Sequence, residues 1–374
     1  MRKSIAIIIT SILVLSGCNK QQSVSDRLLN EVEKAIAINP DSASNLLKGI
    51  SSPEKLDNKT FARWCMLSGK ITDEIFNSIL PTYQLERAYD WYSSHGSPDE
   101  QVQILIYLGR SYFADGDYDK AMSIYTNALD IAEKNKLNNL TGYTYSYIGD
   151  LYGEKFMRTE AIKRYKAAAE CFKKENNTDS YACALRDVGR EYACIDSLSR
   201  ALKILTIADS VARNTKNIEV TASIDNALGN IYAMQNKYDK AEEYFLKALV
   251  GRETMPDYMA LIDLYIASGA INKAQELLSK ILQDNPKYTY SIKYLYYQIY
   301  NEEKNYKEAL TNLKEYVEIT DSIIYADNQS KILNIESKYN HLKISKEVDR
   351  LKIKQQSYII VLVICIGILL LSLI

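Results

Sequence analysis

Histidine is scarce in this chain, and so are glycine, proline and cysteine. The 374 residues include 2 His, 6 Cys, 14 Gly and 6 Pro. Neither His95 nor His341 has a cysteine or carboxylate at a metal-ligand spacing, and no glycine-rich phosphate loop occurs in the sequence. The many Asp and Glu residues are typical of solvated helix faces. These absences predict a protein that is not an enzyme and that holds no cofactor or metal.

A net charge is also nearly absent. The 46 Lys and Arg residues and the 47 Asp and Glu residues give a formal charge of −1, so no nucleic-acid partner is indicated. With 47% hydrophobic residues and few helix breakers, the composition favours a helix-rich chain. Tyrosine is the exception, with 30 copies. The excess tyrosines either pack with the hydroxyl at the surface or line a binding surface; examples are Tyr143, Tyr147, Tyr294 and Tyr296.

One cluster of residues recurs with a period of 40 residues. The cluster has a glycine followed three residues later by a tyrosine, and the glycines are Gly109, Gly149, Gly189 and Gly229. A second cluster of the type Ala121, Tyr125 and Ala128 follows each glycine, with Leu205 replacing the aromatic residue in the third copy. Glycine costs roughly 1 kcal/mol inside a helix, so its recurrence indicates close approach of two antiparallel helices beside the large side chain. The period predicts a repeat array with two helices per repeat.

These residues resemble the tetratricopeptide repeat, whose pattern is W-x2-L-G-x2-Y, then A-x3-F, A and P. The resemblance implies an all-α fold, a right-handed α-solenoid of helical hairpins. The period exceeds the usual 34 residues, which predicts longer helices or links. The predicted array covers residues 57–317. It begins with a degenerate repeat, 57–95, upstream of the four copies, since Gly69 and Ala88 keep the phase but Pro81 occupies an alanine position. The copy that contains Gly109 is counted as the first repeat.

The amino-terminal residues predict export and a lipid anchor. Two basic residues and an apolar run precede Leu15-Ser16-Gly17-Cys18, which is the order of a secretory signal. The last four residues resemble the bacterial lipobox. This resemblance implies a signal peptide of residues 1–17, a lipid on Cys18 and a polar tether over 18–25. An ordinary signal peptide with an incidental cysteine is the alternative.

Residues 26–56 are predicted to form N-terminal capping helices. The pattern breaks at Asn39-Pro40, and Asp41 is the predicted N-cap of the second helix. Terminal segments of a solenoid are expected to be atypical because one of their faces meets solvent.

The carboxyl-terminal residues predict a stalk and a membrane span. Residues 358–374 are apolar and uncharged, and at ~1.5 Å per residue they reach about 25 Å, within the lower limit for a transmembrane helix. A buried core helix is the alternative. The preceding residues, 318–357, are predicted to be a helical stalk with a short heptad seam at Ile332, Ile335, Tyr339 and Leu342. The seam suits a homodimer, whereas so few heptads are equally typical of a capping helix.

The whole arrangement resembles bacterial envelope sensors, in which a periplasmic tetratricopeptide array is joined through a stalk and one span to a helix-turn-helix or histidine-kinase output. The resemblance implies an inner-membrane protein with the solenoid facing the periplasm. The positive-inside rule, in contrast, favours a cytoplasmic position for the basic residues just before the predicted span. The resemblance is not expected to extend to an output module, so it implies no direct transcriptional or kinase activity for this chain. The expected function is a membrane-anchored module that binds a peptide, protein or envelope cue for signalling. The alternatives are an assembly scaffold for envelope or secretion complexes and the sensory half of a truncated transcriptional regulator.

A ligand groove is implied by the same resemblance. In tetratricopeptide proteins, positions 2, 5, 9, 12 and 13 of the first helix face a concave groove. With the glycine as position 8, the rule selects Tyr143, Ser146, Asp150, Arg186, Arg190, Asn226 and Asn230. Arginines fork onto carboxylates and asparagine amides pair with extended backbone, so an acidic or extended peptide or protein is the predicted partner. Simple solvation or interhelical pairing of these side chains is the alternative.

Four cysteines fall within the predicted array: Cys65, Cys171, Cys183 and Cys194. Cys171 and Cys183 flank a predicted loop between repeats, which places a disulfide between them within reach. Isolated thiols in a helical core are the alternative.

Overall fold

The structure is a computed structural model, and it describes residues 24–75, 79–284 and 289–325 together with 350, 351, 353, 354, 357 and 358. These residues form helices and turns, and no strand occurs among them. The chain divides into two compact units, Met1–Lys314 and Glu315–Ile374. The predicted all-α repeat architecture is therefore confirmed for the described residues of the first unit.

The helices follow one another as antiparallel hairpins. In chain order they are α1 (24–36), α2 (Pro40–Lys48), α3 (Asn58–Ile75), α4 (Thr82–His95), α5 (Pro98–Ala114), α6 (Tyr118–Lys134), α7 (Asn138–Glu154), α8 (Arg158–Lys174), α9 (Thr178–Cys194), α10 (Leu198–Ala212), α11 (Ile218–Met234), α12 (Tyr238–Gly251), α13 (Met255–Ala267), α14 (Ile271–Asp284), α15 (Thr289–Glu302) and α16 (306–325). A short 3₁₀ turn, Pro53–Lys55, precedes α3.

The long period resides in the helices rather than in their links. Each helix from α5 to α9 has 17 residues, and three-residue turns connect them. Two such helices and two such turns make up one 40-residue repeat. The next helix, α10, has 15 residues, and the longer loop at 213–217 restores the phase before α11.

The backbone carbonyl of the repeat tyrosine accepts the hydrogen bond that ends the first helix of each repeat. In the first repeat, the amide of Asp117 donates to the Tyr112 carbonyl at 2.9 Å while Gly116 takes a φ of 77°. The same bond joins Met157 to Tyr152 at 2.8 Å. This pattern is a Schellman ending, which requires one left-handed residue after the helix. In the second repeat that residue is Phe156, with a φ of 58°.

Close packing explains the repeated glycines, as predicted. A Cβ atom on Gly149 would lie 2.6 Å from the Tyr165 ring, and one on Gly229 would lie 2.6 Å from the Phe245 ring. Both distances are far below van der Waals contact. Because glycine has no side chain, the two helices of a hairpin approach until the aromatic ring covers the glycine backbone.

The amino-terminal segment corrects one prediction and explains another feature. Asn39, not Asp41, caps α2, because its side chain accepts from the amide of Ser42 at 2.9 Å and Pro40 takes the first helical position. In the degenerate repeat, α4 begins at Thr82. Pro81 therefore lies just before the helix and removes no helical hydrogen bond.

The hydrophobic core of the first unit is a series of clusters rather than one centre. One cluster joins residues of α3 to α7, a second joins α8 to α11, and a third joins α12 to α15. Each repeat thus packs mainly on its neighbours, as expected for a solenoid.

Several predicted segments lie outside the described residues. They are 1–23, which includes Cys18, the heptad seam at 332–342, and 359–374. Within the described part of the chain, no helix combines the length and the apolar character that crossing a bilayer requires. The predictions for the lipid anchor, stalk and span therefore stay predictions.

Candidate functional site

A cleft of about 590 Å³ lies between the first helices of the second and third repeats, α7 and α9. We call it the α7–α9 cleft. Its lining residues are Phe113, Ser146, Asp150, Gly153, Glu154, Phe156, Arg158, Tyr165, Arg186, Asp187, Arg190, Glu191 and Cys194. The rule that assigns positions 2, 5, 9, 12 and 13 of each first helix to the groove is called the groove rule below. Four residues that it selects line this one cavity: Ser146, Asp150, Arg186 and Arg190.

Helical spacing produces this convergence. Ser146, Asp150 and Glu154 are four residues apart along α7, so they share one face of the helix. Arg186 and Arg190 are related in the same way along α9. The 40-residue repeat places these two faces side by side across the cleft.

Arg186 is occupied by pairing within the protein. Its Nε donates to Asp187 Oδ1 at 2.9 Å and its Nη2 donates to Asp187 Oδ2 at 3.1 Å. Its Nη1 donates to the Ser223 hydroxyl on α11 at 2.9 Å. The side chain is only 21% exposed. Arg186 therefore links the third repeat to the fourth with most of its donors already satisfied.

A second arginine of the cleft is also paired. Arg158, at the start of α8, donates from Nη1 to both carboxylate oxygens of Glu191 at 3.3 Å. Glu191 is a buried residue at 8% exposure. The pair neutralises two of the charges at the cleft wall and ties the second repeat to α9.

Three charged side chains of the cleft remain available. Asp150 accepts a hydrogen bond from the Tyr165 hydroxyl at 2.6 Å, and part of the residue is exposed to solvent although the cleft walls surround its carboxyl group. Arg190 and Glu154 are exposed, and neither forms an ion pair or hydrogen bond with the described part of the chain. These three groups can contact a ligand without breaking a bond that stabilises the fold.

The environment of Asp150 disfavours its charged form. Desolvation by the surrounding cleft walls raises the pKa of Asp150 to about 6, against the Tyr165 hydrogen bond, which lowers it. The Asp187 charge raises this pKa further, while Arg186 and Arg190 lower it. A nearby ligand cation would favour the carboxylate form.

An aromatic ring stands at the mouth of the cleft. Phe156 is 80% exposed and lies in the turn between α7 and α8. The Arg158 guanidinium lies 5.1 Å from the centre of its ring. The groove rule did not select Phe156, because the rule covers first-helix positions only. In the second and third repeats, positions 12 and 13 of that rule do contain three other lining residues, which the sequence analysis did not name as groove residues: Gly153, Glu154 and Cys194.

Three predicted groove residues lie outside this cleft. Tyr143 is 38% exposed, bonds the Ser180 hydroxyl at 2.9 Å and packs against the Phe172 ring. Asn226 donates to Asp257 at 2.9 Å. Asn230 donates to Asn226 at 3.0 Å. The structure thus joins the arginine and aspartate positions but does not bring the asparagines into the same cavity.

Cys171 and Cys183 are free thiols, so the suggested disulfide is wrong for this structure. The charged groups near the two thiols differ. Cys171 lies near Glu133 of the preceding repeat, whereas Cys183 lies near Arg186 and Arg252 toward the following repeats. Burial raises the pKa of both thiols. Cys194, in contrast, is exposed at the cleft.

Sequence-family comparisons identify the repeat. One tetratricopeptide-repeat model matches residues 100–174, and a second matches residues 221–255. The first match begins at the third residue of α5 and ends with α8. The second contains most of α11 and all of α12. No curated protein sequence matches the chain.

Solved structures share the fold at low sequence identity. A Rap protein complexed with competence and sporulation factor is 18% identical, with a TM-score of 0.62 and coverage of 82% of this chain and 88% of the other. NprR in complex with its cognate peptide NprX is 17% identical, with a TM-score of 0.50 and coverage of 81% and 94%. A tetratricopeptide repeat protein from Parabacteroides merdae is 17% identical, with a TM-score of 0.50 and coverage of 69% and 93%.

Proposed function

Because the chain carries tetratricopeptide repeats, we propose that it is a non-catalytic module that binds an extended peptide or an extended segment of a protein. The α7–α9 cleft is the proposed site. The observation that carries the proposal is the combination of a cavity of about 590 Å³ with unpaired charges and an exposed ring at its mouth. This volume lies within the usual range of roughly 300–1,000 Å³ for ligand sites.

The chemistry of the lining suits main-chain recognition. Arg190 can donate to carbonyl or carboxylate oxygens, and Asp150 and Glu154 can accept from amides or ammonium groups. An extended segment offers both kinds of group at every residue. The paired charges on Arg158 and Arg186 keep the walls in place while the ligand binds.

Two proteins of similar fold support the same class of ligand. NprR is complexed with its cognate peptide, and the Rap protein is complexed with competence and sporulation factor. Their likeness to this chain concerns the fold. The proposal that this chain also binds a peptide rests on its own cleft, and these complexes agree with it.

The membrane arrangement is part of the proposal. We propose that Cys18 carries a lipid, that residues 358–374 span the inner membrane, and that the right-handed solenoid faces the periplasm as a sensing module. The stalk, 318–357, would join two copies. Support comes from the lipobox-like residues Leu15-Ser16-Gly17-Cys18 and from the uncharged terminal run.

Peptide binding can be tested with the full chain in nanodiscs. A displayed library of random dodecapeptides is selected on the wild type, and bound peptides are then tested for protection of Cys194 from N-ethylmaleimide. Cys194 is an exposed thiol of the cleft lining, so an occupied cleft should slow its alkylation. Mass spectrometry separates its product from those of the other cysteines. Absence of enriched peptides, or enrichment without any protection of Cys194, contradicts the proposed site.

Anchoring and topology need separate experiments. A fatty-acid probe should label the wild type and leave Cys18→Ser unlabelled. In spheroplasts, external protease should degrade residues 26–340 while the terminal segment stays with the inner membrane. Equal labelling of both chains argues against the lipid anchor. A protected array, or fractionation with the outer membrane, argues against the topology.

A further inference from the structure

We infer that the ligand of the α7–α9 cleft is a basic segment, with an apolar residue beside its cation, and not the acidic segment that two arginines suggest. This inference rests on the proposed binding function and specifies the ligand class. Its starting point is which charges of the cleft are already neutralised.

Charge pairing leaves the cleft short of positive charge. Two of its three arginines are held by carboxylates of the same cleft, Arg186 by Asp187 and Arg158 by Glu191. The carboxylates left over are Asp150 and Glu154. Only Arg190 opposes them, so the lining has four acidic groups and three basic ones. A ligand that brings one positive charge balances the site, whereas an acidic ligand adds to the excess.

The positions of the two free carboxylates suit one cation. Asp150 and Glu154 are four residues apart on one face of α7, a spacing that brings two side chains together. A lysine or arginine of the ligand can lie between them. Arg190, on α9 across the cleft, would then donate to a carbonyl of the ligand backbone. The tetratricopeptide scaffold supplies this geometry through the two adjacent first helices.

The exposed ring provides the second half of the inference. Phe156 lies two residues after Glu154 and has a left-handed φ of 58°. The equivalent positions of three other hairpin turns hold Gly116, Asp196 and Asn236, residue types that tolerate this conformation far better than a bulky one. Turn geometry therefore gives no reason for phenylalanine here.

Within the fold, the Arg158 guanidinium lies 5.1 Å from the ring centre, and this contact leaves most of the ring in solvent. The ring is 80% exposed, and Met157 beside it is 49% exposed. Phe113 of α5 lines the same cleft. An apolar side chain of the ligand that packs against Phe156 and Phe113 would bury the exposed surface, and aromatic anchors of this kind contribute much of the energy at binding interfaces. This position is adjacent to the proposed cation site.

A lipid surface is the main competitor for Phe156. Lys155 and Arg158 flank the exposed pair Phe156 and Met157, as in segments that enter a bilayer interface. However, the Arg158 charge is paired with Glu191. The carboxylate of Glu154, the last residue of α7, lies directly before the turn. The free carboxylates of the cleft would face the anionic phosphates. Peptide binding is therefore the inference, and lipid binding becomes an outcome of the test.

Three capped octapeptides provide the test, with Lys-Leu, Glu-Leu or Lys-Ser at the centre of an otherwise identical sequence. Their affinities for the full chain in phosphatidylcholine nanodiscs are measured by calorimetry. The Lys-Leu peptide should bind about tenfold more tightly than either of the others. Asp150→Asn with Glu154→Gln should abolish the preference for lysine. Phe156→Asn should abolish the preference for leucine and keep the preference for lysine.

The Phe156→Asn variant is a controlled change. Asparagine already occupies the equivalent turn position at Asn236, so the fold should be retained, as a thermal melt verifies. Tighter binding of the Glu-Leu peptide, lost in Arg190→Ala, overturns the inference and leaves the proposed function intact. If none of the three peptides binds while library peptides still protect Cys194, the inference is also overturned and the proposed function is again left intact. Failure of the library as well overturns both.

Membrane contact has its own signature. If Phe156→Asn lowers association with phosphatidylglycerol vesicles and leaves all three peptide affinities unchanged, the ring serves a lipid surface. The inference about the apolar residue of the ligand is then wrong.

Discussion

Arg186 forms a two-point ion pair with Asp187, its neighbour in α9. Nε and Nη2 of the arginine lie 2.9 Å and 3.1 Å from the two carboxylate oxygens. The remaining donor, Nη1, reaches Ser223 of the next repeat. Arg190, one helical turn away, has no such partner in the described chain and remains exposed. Two arginines with the same sequence spacing thus have different roles.

Separate alanine variants of these arginines should have different effects. Arg186→Ala leaves Asp187 without its charged partner and breaks the bond to Ser223, so it should lower the free energy of unfolding by about 1.5–3 kcal/mol. Arg190→Ala should change it by no more than about 0.5 kcal/mol. Urea unfolding followed by circular dichroism measures both. Equal stability of the two variants would show that the Arg186 network has no structural role.

Two glycines of α7 provide a second matched pair. A Cβ atom on Gly149 would lie 2.6 Å from the Tyr165 ring, whereas one on Gly153 would meet nothing closer than 3.5 Å. Gly149→Ala should destabilise the protein by about 1–3 kcal/mol because the hairpin must open. Gly153→Ala should stabilise it by roughly 0.4–1 kcal/mol through the unfolded state. Thermal midpoints that move in the same direction would contradict the packing argument.

Asp257 should be among the most sensitive acidic residues. Its fully buried carboxylate accepts from Arg252 at 2.9 Å and 3.0 Å, from Asn226 at 2.9 Å, and from the Thr254 hydroxyl. Asp257→Ala should cost about 3–5 kcal/mol, because it leaves the Arg252 charge without a partner. Glu253→Gln, a neighbouring exposed position, is the control. If Asp257→Ala unfolds at the same urea concentration as the wild type, the hydrogen bonds of Asp257 do not stabilise the fold as predicted.

Stability should depend on pH through Asp150. Desolvation raises the pKa of its carboxyl to about 6 in the folded state, above the ordinary value of about 3.9 in the unfolded chain. Folded protein therefore binds more protons between about pH 4 and 6, and stability decreases as pH rises through this window. Facing groups are Tyr165 on α8 and Arg186, Asp187 and Arg190 on α9.

Asp150→Asn is the variant that tests this dependence. The variant should be more stable than the wild type at pH 7 and similar to it at pH 4, as urea midpoints at both values would show. Glu154→Gln removes another carboxylate of the cleft. Its urea midpoint should change between pH 4 and pH 7 by the same amount as that of the wild type. If the difference in urea midpoint between Asp150→Asn and the wild type is larger at pH 4 than at pH 7, the predicted pH dependence is wrong.

The sequence determined the repeat architecture because helix packing obeys local periodicity. Gly149 and Tyr165 recur with partners at fixed offsets, and close approach of two helices requires this combination wherever it occurs. The same periodicity placed Ser146, Asp150, Arg186 and Arg190 on first-helix faces that share the cleft. One position rule was sufficient for this result, because each repeat has the same geometry.

Only the tertiary structure decided which of these charges are available. Arg186 pairs with an adjacent residue and a hydroxyl 37 positions away, and Arg158 pairs with Glu191 across two helices. Such choices depend on distances of a few tenths of an ångström between competing partners, which residue spacing does not specify. The exposure of Phe156 also depended on how its turn projects from the array. Periodicity therefore predicts the face on which a side chain lies, and three-dimensional packing decides whether that side chain is free to bind.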